Sequence, residues 1–521
     1  MKTHDTKNIY VIIIAILFVL IIIAVLFVLV PSKAALTYYL DSVNGDDTYS
    51  GTLSSQPWKT LARASEHIFA PGESLLLKSG LRFIGTLVLQ GGGTASEPVL
   101  IGRYSEGAMP AIDGKGAMAA ITVQNMDFCI IQDLEITNQT QVRGPHYGIR
   151  VNATGGGPVY GPTLRRLWIH HVSGEDERGG GSGIRISAGL GPQGQPTWYV
   201  DTVIEHNHLH DLPFNGIFFS GWKMRGRNPD GTLTTPSTGL YIYGNLLYDI
   251  AGDGICIINT QGAIIEHNEL HRGSIGQLRG AKTPSAGIWP HSSDDTVMRY
   301  NRVEGLRGGL DGQAFDVDIN CRRTLVEKNL SRNNGTGFIL LCSAAQAGPT
   351  TDTVIRQNMS LNDAVDPNGA VLTIVGAVED TIFSNNVFIL THPGKRLFLR
   401  AADWTSVGTW PDHFMWRKNM IVTAGQLGWS KKQSTHLVLD GNLFDGCFPC
   451  MPHDANGFYG DFGLLKKPVY VSLDVAVAKD SAALSLGFEP FNLENASLPH
   501  DSPWLSDRDA AVLKNPTVSG K

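Results

Sequence analysis

The sequence of 521 residues is poor in charged side chains and has no long run of either charge sign. Asp, Glu, Lys and Arg make up 17% of it, and 42 Lys and Arg against 48 Asp and Glu give a formal net charge of −6. Binding to nucleic acid requires a concentration of basic residues, so the composition gives no indication of a nucleic-acid partner. The hydrophobic content of 42% excludes a disordered chain.

Cysteine is also scarce, since six residues of this type are too few for a fold held together by disulfides. Cys256 and Cys342 lie in apolar segments and are predicted to be ordinary thiols. Cys447 and Cys450 form a C-x-x-C motif. A redox role would need a thioredoxin-like context and a zinc site would need two further ligands, so we expect a local disulfide in a C-terminal loop.

Only one apolar run is long enough to cross a membrane. Residues 10–30 form a stretch of 21 residues without a charge, which as a helix would span about 30 Å, the thickness of a hydrocarbon core. Two lysines precede it, which favours a cytoplasmic tail at 1–9, a transmembrane anchor at 10–30 and a linker at 31–36. A cleaved signal peptide is the alternative, because Ser32 and Ala34 suit a signal peptidase. Both interpretations place the bulk of the chain outside the cytoplasm.

From about residue 120 a short pattern returns along the chain: two apolar positions separated by one residue, two variable residues, and then Asn. The spacings between successive Asn residues are 38, 23, 33, 28, 29, 28, 33 and 23 residues. A shortest repeat of 23 residues, lengthened by different amounts in other repeats, is typical of a solenoid whose strands have a fixed length and whose loops vary. The sequence therefore predicts an all-β, right-handed parallel β-helix. The recurring residues are Asn207, Asn245, Asn268, Asn301, Asn329, Asn358, Asn386, Asn419 and Asn442.

The recurring Asn has two interpretations. Six N-glycosylation sequons are present, and two of them, at Asn329 and Asn358, fall on the repeat position itself. At that position the amide can turn inward and bond to its neighbour in the next coil, which satisfies backbone groups at a turn. We therefore predict an inward Asn ladder through all nine positions.

A second strand of each coil can be aligned by a Gly that precedes an apolar residue. Because side chains alternate along a strand, an inner column implies an outer column one residue later. The predicted inner column is Ile149, Ile184, Ile217, Ile255, Ile288, Phe315 and Phe338. The predicted outer face carries Arg150, Arg185, Phe218, Cys256, Trp289 and Asp316, and two residues further along it carries Ser220, Ile258, His291 and Asp318.

The two ends of the solenoid need covers over the open core. Pro57 followed by WKTLARASEHI predicts a short amphipathic helix that would cap the first coil. The repeat fades after about residue 455. We therefore expect the β-helix at 37–455 and a C-terminal cap and tail at 456–521.

These features resemble the pectate-lyase-like superfamily of right-handed parallel β-helix proteins. The stretch YYLDSVNGDDTYSGTLSSQPWKTLARA is similar to the opening segment of bacterial members, and residues 71–104 continue it. The resemblance covers roughly residues 37–450. It implies the fold and a carbohydrate-active protein, but not one reaction, because this fold hosts hydrolases, lyases, epimerases, esterases and adhesins.

The segment with most potential for chemistry contains Asp311, Asp316 and Asp318. Asp is disfavoured in strands, yet two Asp stand two residues apart in one strand and point to the same face. Paired carboxylates suit glycoside hydrolysis, with one as general acid and the other as base or nucleophile. The arrangement is similar to the Asp cluster of polygalacturonase-type hydrolases, although their Gly-His-Gly and Arg-x-Lys segments are absent. A Ca²⁺ site at Asp316 and Asp318 and a solvated acidic edge are the alternatives.

Neighbouring coils supply further candidates. Trp289 is predicted to lie beside Asp316 and to act as a platform for a sugar ring, unless the preceding loop 271–286 covers it. His291 is an auxiliary acid or base, or an ordinary surface His. The remaining candidates for substrate binding are Asp253, Arg185, Trp222 and Lys223, and the same residue types also occur at ordinary turns and surfaces. Insertions at 221–239 and 269–286 are predicted to wall the binding face.

Three functions remain open from the sequence. The first is an extracytoplasmic glycoside hydrolase that acts on a polysaccharide or oligosaccharide through the paired Asp residues. The second is a polysaccharide lyase or uronate epimerase, in which His291 with Arg185 or Lys223 would serve and Ca²⁺ could neutralise the substrate carboxylate. The third is a glycan-binding solenoid without catalysis. No cofactor other than Ca²⁺ is indicated, and the sequence does not indicate an oligomeric state.

Overall fold

The computed structural model describes residues 35–174, 180–276, 283–308, 311–403, 409–430, 436–462 and 474–513. Within them, residues Thr37 onward form one compact unit, almost entirely of parallel strands. The predicted transmembrane anchor lies outside the described residues. No helix in the described part of the chain is long and apolar enough to cross a membrane.

The first sheet of the solenoid is built from the strands that precede the recurring Asn. It has 14 parallel strands, each paired with the equivalent strand of the next coil. In the three-residue strands of this sheet the middle residue points inward and is buried, for example Ile204, Ile242 and Ile265. The strands are Thr37–Leu40, Ser74–Lys78, Val99–Tyr104, Cys129–Gln132, Thr163–Arg165, Val203–Glu205, Tyr241–Tyr243, Ile264–Glu266, Val297–Arg299, Leu325–Glu327, Val354–Arg356, Thr381–Ser384, Phe414–Arg417 and Leu437–Asp440.

The Asn ladder is confirmed at all nine positions. Asn301 shows the pattern: its amide nitrogen donates to the Ile265 carbonyl oxygen at 2.8 Å and to Asn329 Oδ1 at 3.1 Å. Its own Oδ1 accepts hydrogen bonds from the backbone and side chain of Asn268, both at 3.0 Å. The ladder ends on Asp454, whose carboxylate accepts from the Asn442 side chain at 2.8 Å. The sequon residues Asn329 and Asn358 are therefore buried structural groups.

The remaining two columns of strands form one 26-stranded sheet. We call the column that follows the Asn positions the second column. Its strands are Arg82–Ile84, Ala111–Asp113, Glu135–Asn138, Trp168–Val172, His208–Leu212, Leu246–Ile250, Glu269–His271, Arg302–Glu304, Leu330–Arg332, Met359–Leu361, Val387–Leu390, Met420–Trp429, Leu443–Cys447 and Phe458–Tyr459.

The other column, which we call the third column, carries the predicted functional face. Gly precedes the inner residue in several coils because stacked backbones approach closely there; a Cβ on Gly254 would lie 2.6 Å from the Gly287 carbonyl oxygen. The strands are Ile68–Phe69, Leu87–Gly91, Ala119–Gln124, Tyr147–Ala153, Ser182–Ala188, Asn215–Ser220, Ile255–Ile258, Ile288–His291, Gln313–Val317, Gly337–Ser343, Ala370–Gly376 and Lys395–Ala402.

The predicted inner column is correct through Phe315 and wrong at Phe338. The strand pairs place Ile149, Ile184, Ile217, Ile255 and Ile288 in register. Phe315 then pairs with Ile339, so the last coil is shifted by one residue from the prediction. Phe338 and Ile339 are adjacent, apolar and both fully buried, so the sequence pattern does not decide which of them continues the inner column. The shift places Leu340 beside Asp316.

Smaller elements join the three columns. The helix Leu61–Ser65 begins at Thr60, whose hydroxyl accepts from the Arg63 backbone N–H, and it packs on Leu87–Gly91. This helix is shorter than predicted because Trp58 is drawn into the core, where its ring stacks on another aromatic ring. The other short strands are Gly157–Tyr160, Thr197–Val200, Ser237–Thr238, Thr260–Gln261, Thr350–Thr351, Val378–Glu379, Asp474–Val475 and Phe491–Asn492, and the other helices are Ala345–Ala347, Ala482–Ser485 and Leu505–Leu513.

The C-terminal segment runs along the side of the solenoid. Its apolar residues, including Phe488 and Leu493, pack on outward residues of the second column such as Met359 and Met420. Further along, Leu498 and Trp504 pack on Leu246 of a much earlier coil. This segment therefore buries an apolar outer face that the repeat leaves uncovered, in addition to any covering of the last coil.

The predicted disulfide at the C-x-x-C motif is wrong. Cys447 and Cys450 are both exposed free thiols. Cys447 ends the strand Leu443–Cys447, whereas Cys450 lies in the following turn with a left-handed backbone (φ 67°). Cys256 and Cys342 are buried thiols, as expected for Cys residues in apolar strands.

Candidate active site

A cavity of about 640 Å³ lies over the third column. Its floor is formed by the outward residues of the strands Ile288–His291, Gln313–Val317 and Gly337–Ser343. The structure brings seven of the predicted site residues to this one cavity. They are Arg185, Asp253, Trp289, His291, Asp311, Asp316 and Asp318.

The two Asp residues of the predicted pair face the cavity. The sequence suggested that they lie on an exposed strand, and this part of the prediction is wrong. Asp316 is 3% exposed and Asp318 is 9% exposed. The two insertions and the following coils rise around the strand, which turns an outer face into the bottom of a cavity. His291 forms a parallel bridge with Asp318, and Ile288 pairs with Phe315, so Trp289 and His291 lie on the adjacent coil as predicted.

Asp318 has one anchored and one available carboxylate oxygen. Its Oδ1 accepts hydrogen bonds from the Ile319 backbone N–H at 2.7 Å and from Cys342 Sγ at 2.8 Å. Burial raises the pKa of the Cys342 thiol well above its usual range, and the nearby Asp318 carboxylate raises it further, so the thiol stays protonated and donates. The two donors fix the carboxylate plane and leave Oδ2 for the cavity.

Asp316 has a different environment. Burial raises the pKa of its carboxyl well above the usual range, and the charges of Asp318 and Asp311 act in the same direction. Its Oδ1 is buried without a hydrogen-bond partner in the described part of the chain. Asp311 is half-buried at the cavity edge in a left-handed turn (φ 59°), and its carbonyl oxygen accepts a hydrogen bond from the Thr336 hydroxyl.

Trp289 and His291 are held by neighbours. The indole Nε1 of Trp289 donates to Asp253 Oδ1 at 3.0 Å, and the same oxygen accepts from the Ala286 backbone N–H at 2.9 Å. Asp253 therefore orients the Trp ring as well as lining the cavity. His291 Nδ1 lies 2.8 Å from the Ser292 hydroxyl, and its ring meets the Trp289 ring edge-on at 6.4 Å.

Of the three remaining substrate-binding candidates, Arg185 lines the cavity, whereas Trp222 and Lys223 do not. The Arg185 guanidinium lies over the Phe218 ring at 4.6 Å and lines the cavity. Trp222 and Lys223 do not line it: Lys223 Nζ lies 5.5 Å from the Trp222 ring in the insertion after the coil of Phe218.

The insertion after residue 220 is fixed across several coils. Its Arg227 forms a bidentate ion pair with Asp294 at 2.7 and 3.0 Å and donates to Asn320 Oδ1 at 2.6 Å. This anchoring places Met224 and Arg225 at the cavity wall. The second insertion contributes Pro284, whereas residues 277–282 lie outside the described chain.

The sequence did not identify several cavity residues. Gln313 is one of them, because strict alternation along the strand would point its side chain inward with that of Phe315. In the structure Ala314 and Phe315 are both fully buried. The side chain of Gln313 lines the cavity, and its Nε2 lies 3.5 Å from Thr373 Oγ1. The others come from later coils, beyond the motif-bearing segment, or from the strand whose register was shifted. They are Thr336, Leu340, Cys342, Asp366, Thr373, Val375 and Arg400.

The cavity floor also contains a set of potential metal ligands. One carboxylate oxygen each of Asp316 and Asp318 and the sulfur of Cys342 lie within 4.8 Å of one another. Two carboxylates and a thiol supply fewer oxygens than the six to eight that Ca²⁺ takes. The predicted Ca²⁺ site therefore remains a prediction. Among the described residues, two further groups outside the cavity could also hold a metal, namely His171 with His210 and Asp211, and Asp412 with His413 and His436.

Comparisons with known proteins agree with this fold. Residues 219–388 match a family model described as the right handed beta helix region. A solved structure of a GH136 lacto-N-biosidase from Eubacterium ramulus is 23% identical with a TM-score of 0.62, covering 74% of this chain and 67% of that one. The complex structure of alginate lyase AlyF-OU02 is 11% identical with a TM-score of 0.50, covering 82% of this chain and 89% of that one.

No curated protein sequence matches the chain significantly. At these identities the solved structures establish the architecture and leave the reaction to be argued from the site. The chain is thus a right-handed parallel β-helix protein, and its resemblance to the pectate-lyase-like superfamily is confirmed at the level of the fold.

Proposed function

We propose that this protein is a glycoside hydrolase that cleaves a polysaccharide or oligosaccharide in the cavity over the third column. The observation that carries the proposal is the Asp316–Asp318 pair. The two carboxyl groups lie side by side on the cavity floor, and their surroundings differ: one is buried with a raised pKa, and the other is anchored by two donors. Two carboxyl groups in unlike environments are what acid–base hydrolysis of a glycosidic bond requires.

The environments suggest the roles. Asp316, whose carboxyl has a raised pKa, acts as the general acid that protonates the glycosidic oxygen. Asp318 is the nucleophile, because Oδ1 is fixed and Oδ2 can attack the anomeric carbon as the leaving group departs. Water then hydrolyses the glycosyl ester, with Asp316 taking the proton from the water and thereby regaining its starting state.

The separation of the pair favours this double displacement. One carboxylate oxygen of Asp316 lies within 4.8 Å of one carboxylate oxygen of Asp318. Inverting enzymes keep their carboxyl groups roughly 6.5–9.5 Å apart to admit a water, and retaining enzymes about 5–5.5 Å apart. We therefore expect retention of the anomeric configuration, with the sugar ring packed against Trp289.

A glycan panel with the full chain tests the proposal. Each reaction is followed for new reducing ends and for ultraviolet absorbance from an unsaturated uronate. Reducing ends without absorbance are expected, and Asp316→Asn and Asp318→Asn should each lower kcat by about 10²–10⁴-fold. Asp352→Asn, at an exposed left-handed turn position outside the cavity, is the matched control. Full activity in both cavity variants would refute the assignment.

The same panel separates the other functions. Absorbance together with reducing ends would identify a lyase. That result would move the base to His291 and the carboxylate partner to Arg185, which lines the same cavity. Tight glycan binding with neither signal would identify a binding solenoid. If Asp311→Asn, and not Asp316→Asn, removes the alkaline limb of the pH profile, the general acid is Asp311.

The proposal also includes the place of action. The apolar run at 10–30 followed by the solenoid favours an enzyme that is anchored in a membrane and acts outside the cytoplasm. Fractionation of cells expressing the full chain, followed by protease treatment of intact cells or spheroplasts, tests this. Recovery in the membrane fraction with a protease-accessible solenoid is expected. A soluble product that begins after residue 34 would instead establish signal cleavage.

A further inference from the structure

The thiol of Cys342 on the cavity floor completes, with the carboxylates of Asp316 and Asp318, a set of potential metal ligands. Asp316, Asp318 and Cys342 offer two oxygens and one sulfur within 4.8 Å of one another, and all three side chains are buried. Asp316 and Cys342 stand on adjacent paired strands, Gln313–Val317 and Gly337–Ser343, and Asp318 directly follows the first of them. The donor set is therefore built on the sheet and not on a loop.

An independent observation indicates that one member of this donor set lacks a partner. Asp316 Oδ1 is buried and has no hydrogen-bond partner within the described ranges, although the side chain lines the cavity. A buried carboxylate oxygen without a donor is costly, and a second carboxylate beside it adds repulsion. A bound cation would supply the missing interaction and favour the ionised form of both groups.

The ligand types select the class of cation. Ca²⁺ and Mg²⁺ prefer oxygen donors, whereas a thiolate favours borderline-soft ions. Three protein ligands with an open fourth position fit the tetrahedral coordination of Zn²⁺. We propose that Asp316, Asp318 and Cys342 form a binding site for a thiophilic divalent cation of the zinc class, and that a bound ion occupies the carboxylates and excludes the glycan.

On binding, metal–sulfur and metal–oxygen bonds replace the S–H bond of Cys342 and the O–H bond of the protonated Asp316, and both protons pass to solvent. Only the inhibitory consequence rests on the proposed hydrolase function. The binding itself does not depend on it.

Co²⁺ is the probe, because a cobalt–thiolate bond gives a charge-transfer band in the near ultraviolet that His and Asp ligands do not give. The exposed thiols Cys447 and Cys450 would contribute to this band, so the titration uses the full chain with both replaced by Ser. We expect one Co²⁺ per chain with a thiolate band, displaced by Zn²⁺. In that background Cys342→Ser should remove the band and weaken Co²⁺ binding by more than about 100-fold.

Cys129→Ser is the matched control, since Cys129 is an equally buried thiol in an early coil away from the cavity. It should leave the band unchanged. If Cys342→Ser fails to unfold cooperatively, Asp318→Asn provides the second variant: it keeps the thiol and should still weaken Co²⁺ binding. Absence of a thiolate band in the background protein, or an equal band in Cys342→Ser, would overturn the site.

An activity arm separates the two proposals. If a glycan is hydrolysed, Zn²⁺ should raise KM, and a chelator should restore the original value. Hydrolysis that persists unchanged at saturating Zn²⁺ would refute the inhibitory role. If no glycan is hydrolysed, the hydrolase proposal fails, whereas the Co²⁺ titration still decides whether the metal site exists.

Discussion

The indole nitrogen of Trp289 donates a hydrogen bond to Asp253 Oδ1 across adjacent coils, at 3.0 Å. Asp253 stands at a turn before Gly254, where the sequence suggests either substrate binding or ordinary turn chemistry. Its carboxylate fixes the aromatic ring that faces the proposed reaction centre. This acidic side chain of the cavity thus serves orientation, whereas the neighbouring Asp pair is the one we propose for the chemistry.

Replacing Asp253 by Leu should loosen the Trp289 ring. A lost hydrogen bond to a charged group is worth about 1.5–3 kcal/mol, so we expect KM to rise by roughly 10–100-fold with a smaller change in kcat. Asp253→Asn keeps an acceptor oxygen and is the matched control. Steady-state kinetics and Trp fluorescence of both variants provide the measurement. Equal KM values in the Leu variant and the unmodified protein would contradict the orienting role.

Asp316 should make the protein less stable as the pH rises. Its pKa is raised in the folded state, so its stabilising contribution is complete below the ordinary Asp pKa and is lost as pH rises through the folded-state value. Asp316→Asn removes this dependence. At pH 8–9 we expect the variant to have a higher melting temperature than the parent, with a free energy of unfolding larger by about 1–2 kcal/mol. At pH 4 we expect the two proteins to have the same melting temperature. A variant less stable at both pH values would contradict a buried, costly carboxylate.

Asp318 should be replaceable by an external nucleophile. Asp318→Ala opens space where Oδ2 would attack, so azide should restore part of the activity and yield a glycosyl azide of inverted configuration. Product analysis by NMR identifies the anomer. Asp352→Ala, outside the cavity, should show no dependence on azide. Rescue of Asp316→Ala in place of Asp318→Ala would exchange the two roles.

Breaking the Asn ladder should weaken the whole solenoid. Asn301 makes five buried hydrogen bonds with residues of the two adjacent coils, and Asn301→Ala removes the four that involve its side chain, which leaves several backbone and amide groups unsatisfied. We expect a loss of about 2–4 kcal/mol in the free energy of unfolding. Asn456→Ala, at an exposed position, should change it by less than about 0.5 kcal/mol. Denaturant unfolding of both variants tests this.

The C-terminal segment should be necessary for solubility. Trp504 is 7% exposed, packs against Leu246 and donates from its indole nitrogen to the His206 carbonyl oxygen at 2.5 Å. We expect Trp504→Ala to cost about 3 kcal/mol. A chain ending at residue 460 should bind a hydrophobic dye and aggregate, because it would expose the outward apolar residues of the second column. A soluble truncated chain with unchanged unfolding would show that the segment is dispensable.

Much of this architecture could be read from the sequence. The spacing of the recurring Asn predicts the coils, because each coil needs one turn amide to bond to the next. Alternation predicts which residues of Ile288–His291 and Gln313–Val317 point away from the core. Prediction fails where local pattern is ambiguous: Phe338 and Ile339 are both apolar, so only pairing with Phe315 decides the register.

The sequence by itself determined the periodic part of the molecule: the parallel coils, the inward Asn residues and the gathering of Asp316, Asp318, Trp289 and His291 on one face. These features follow from short-range repetition. Tertiary structure decided everything that depends on distant segments meeting. It buried the Asp pair under the anchored insertion of Arg227, added Cys342 and Thr373 from later coils, and laid the C-terminal segment along the second column. Such contacts join residues tens to hundreds of positions apart, and no local periodicity encodes them.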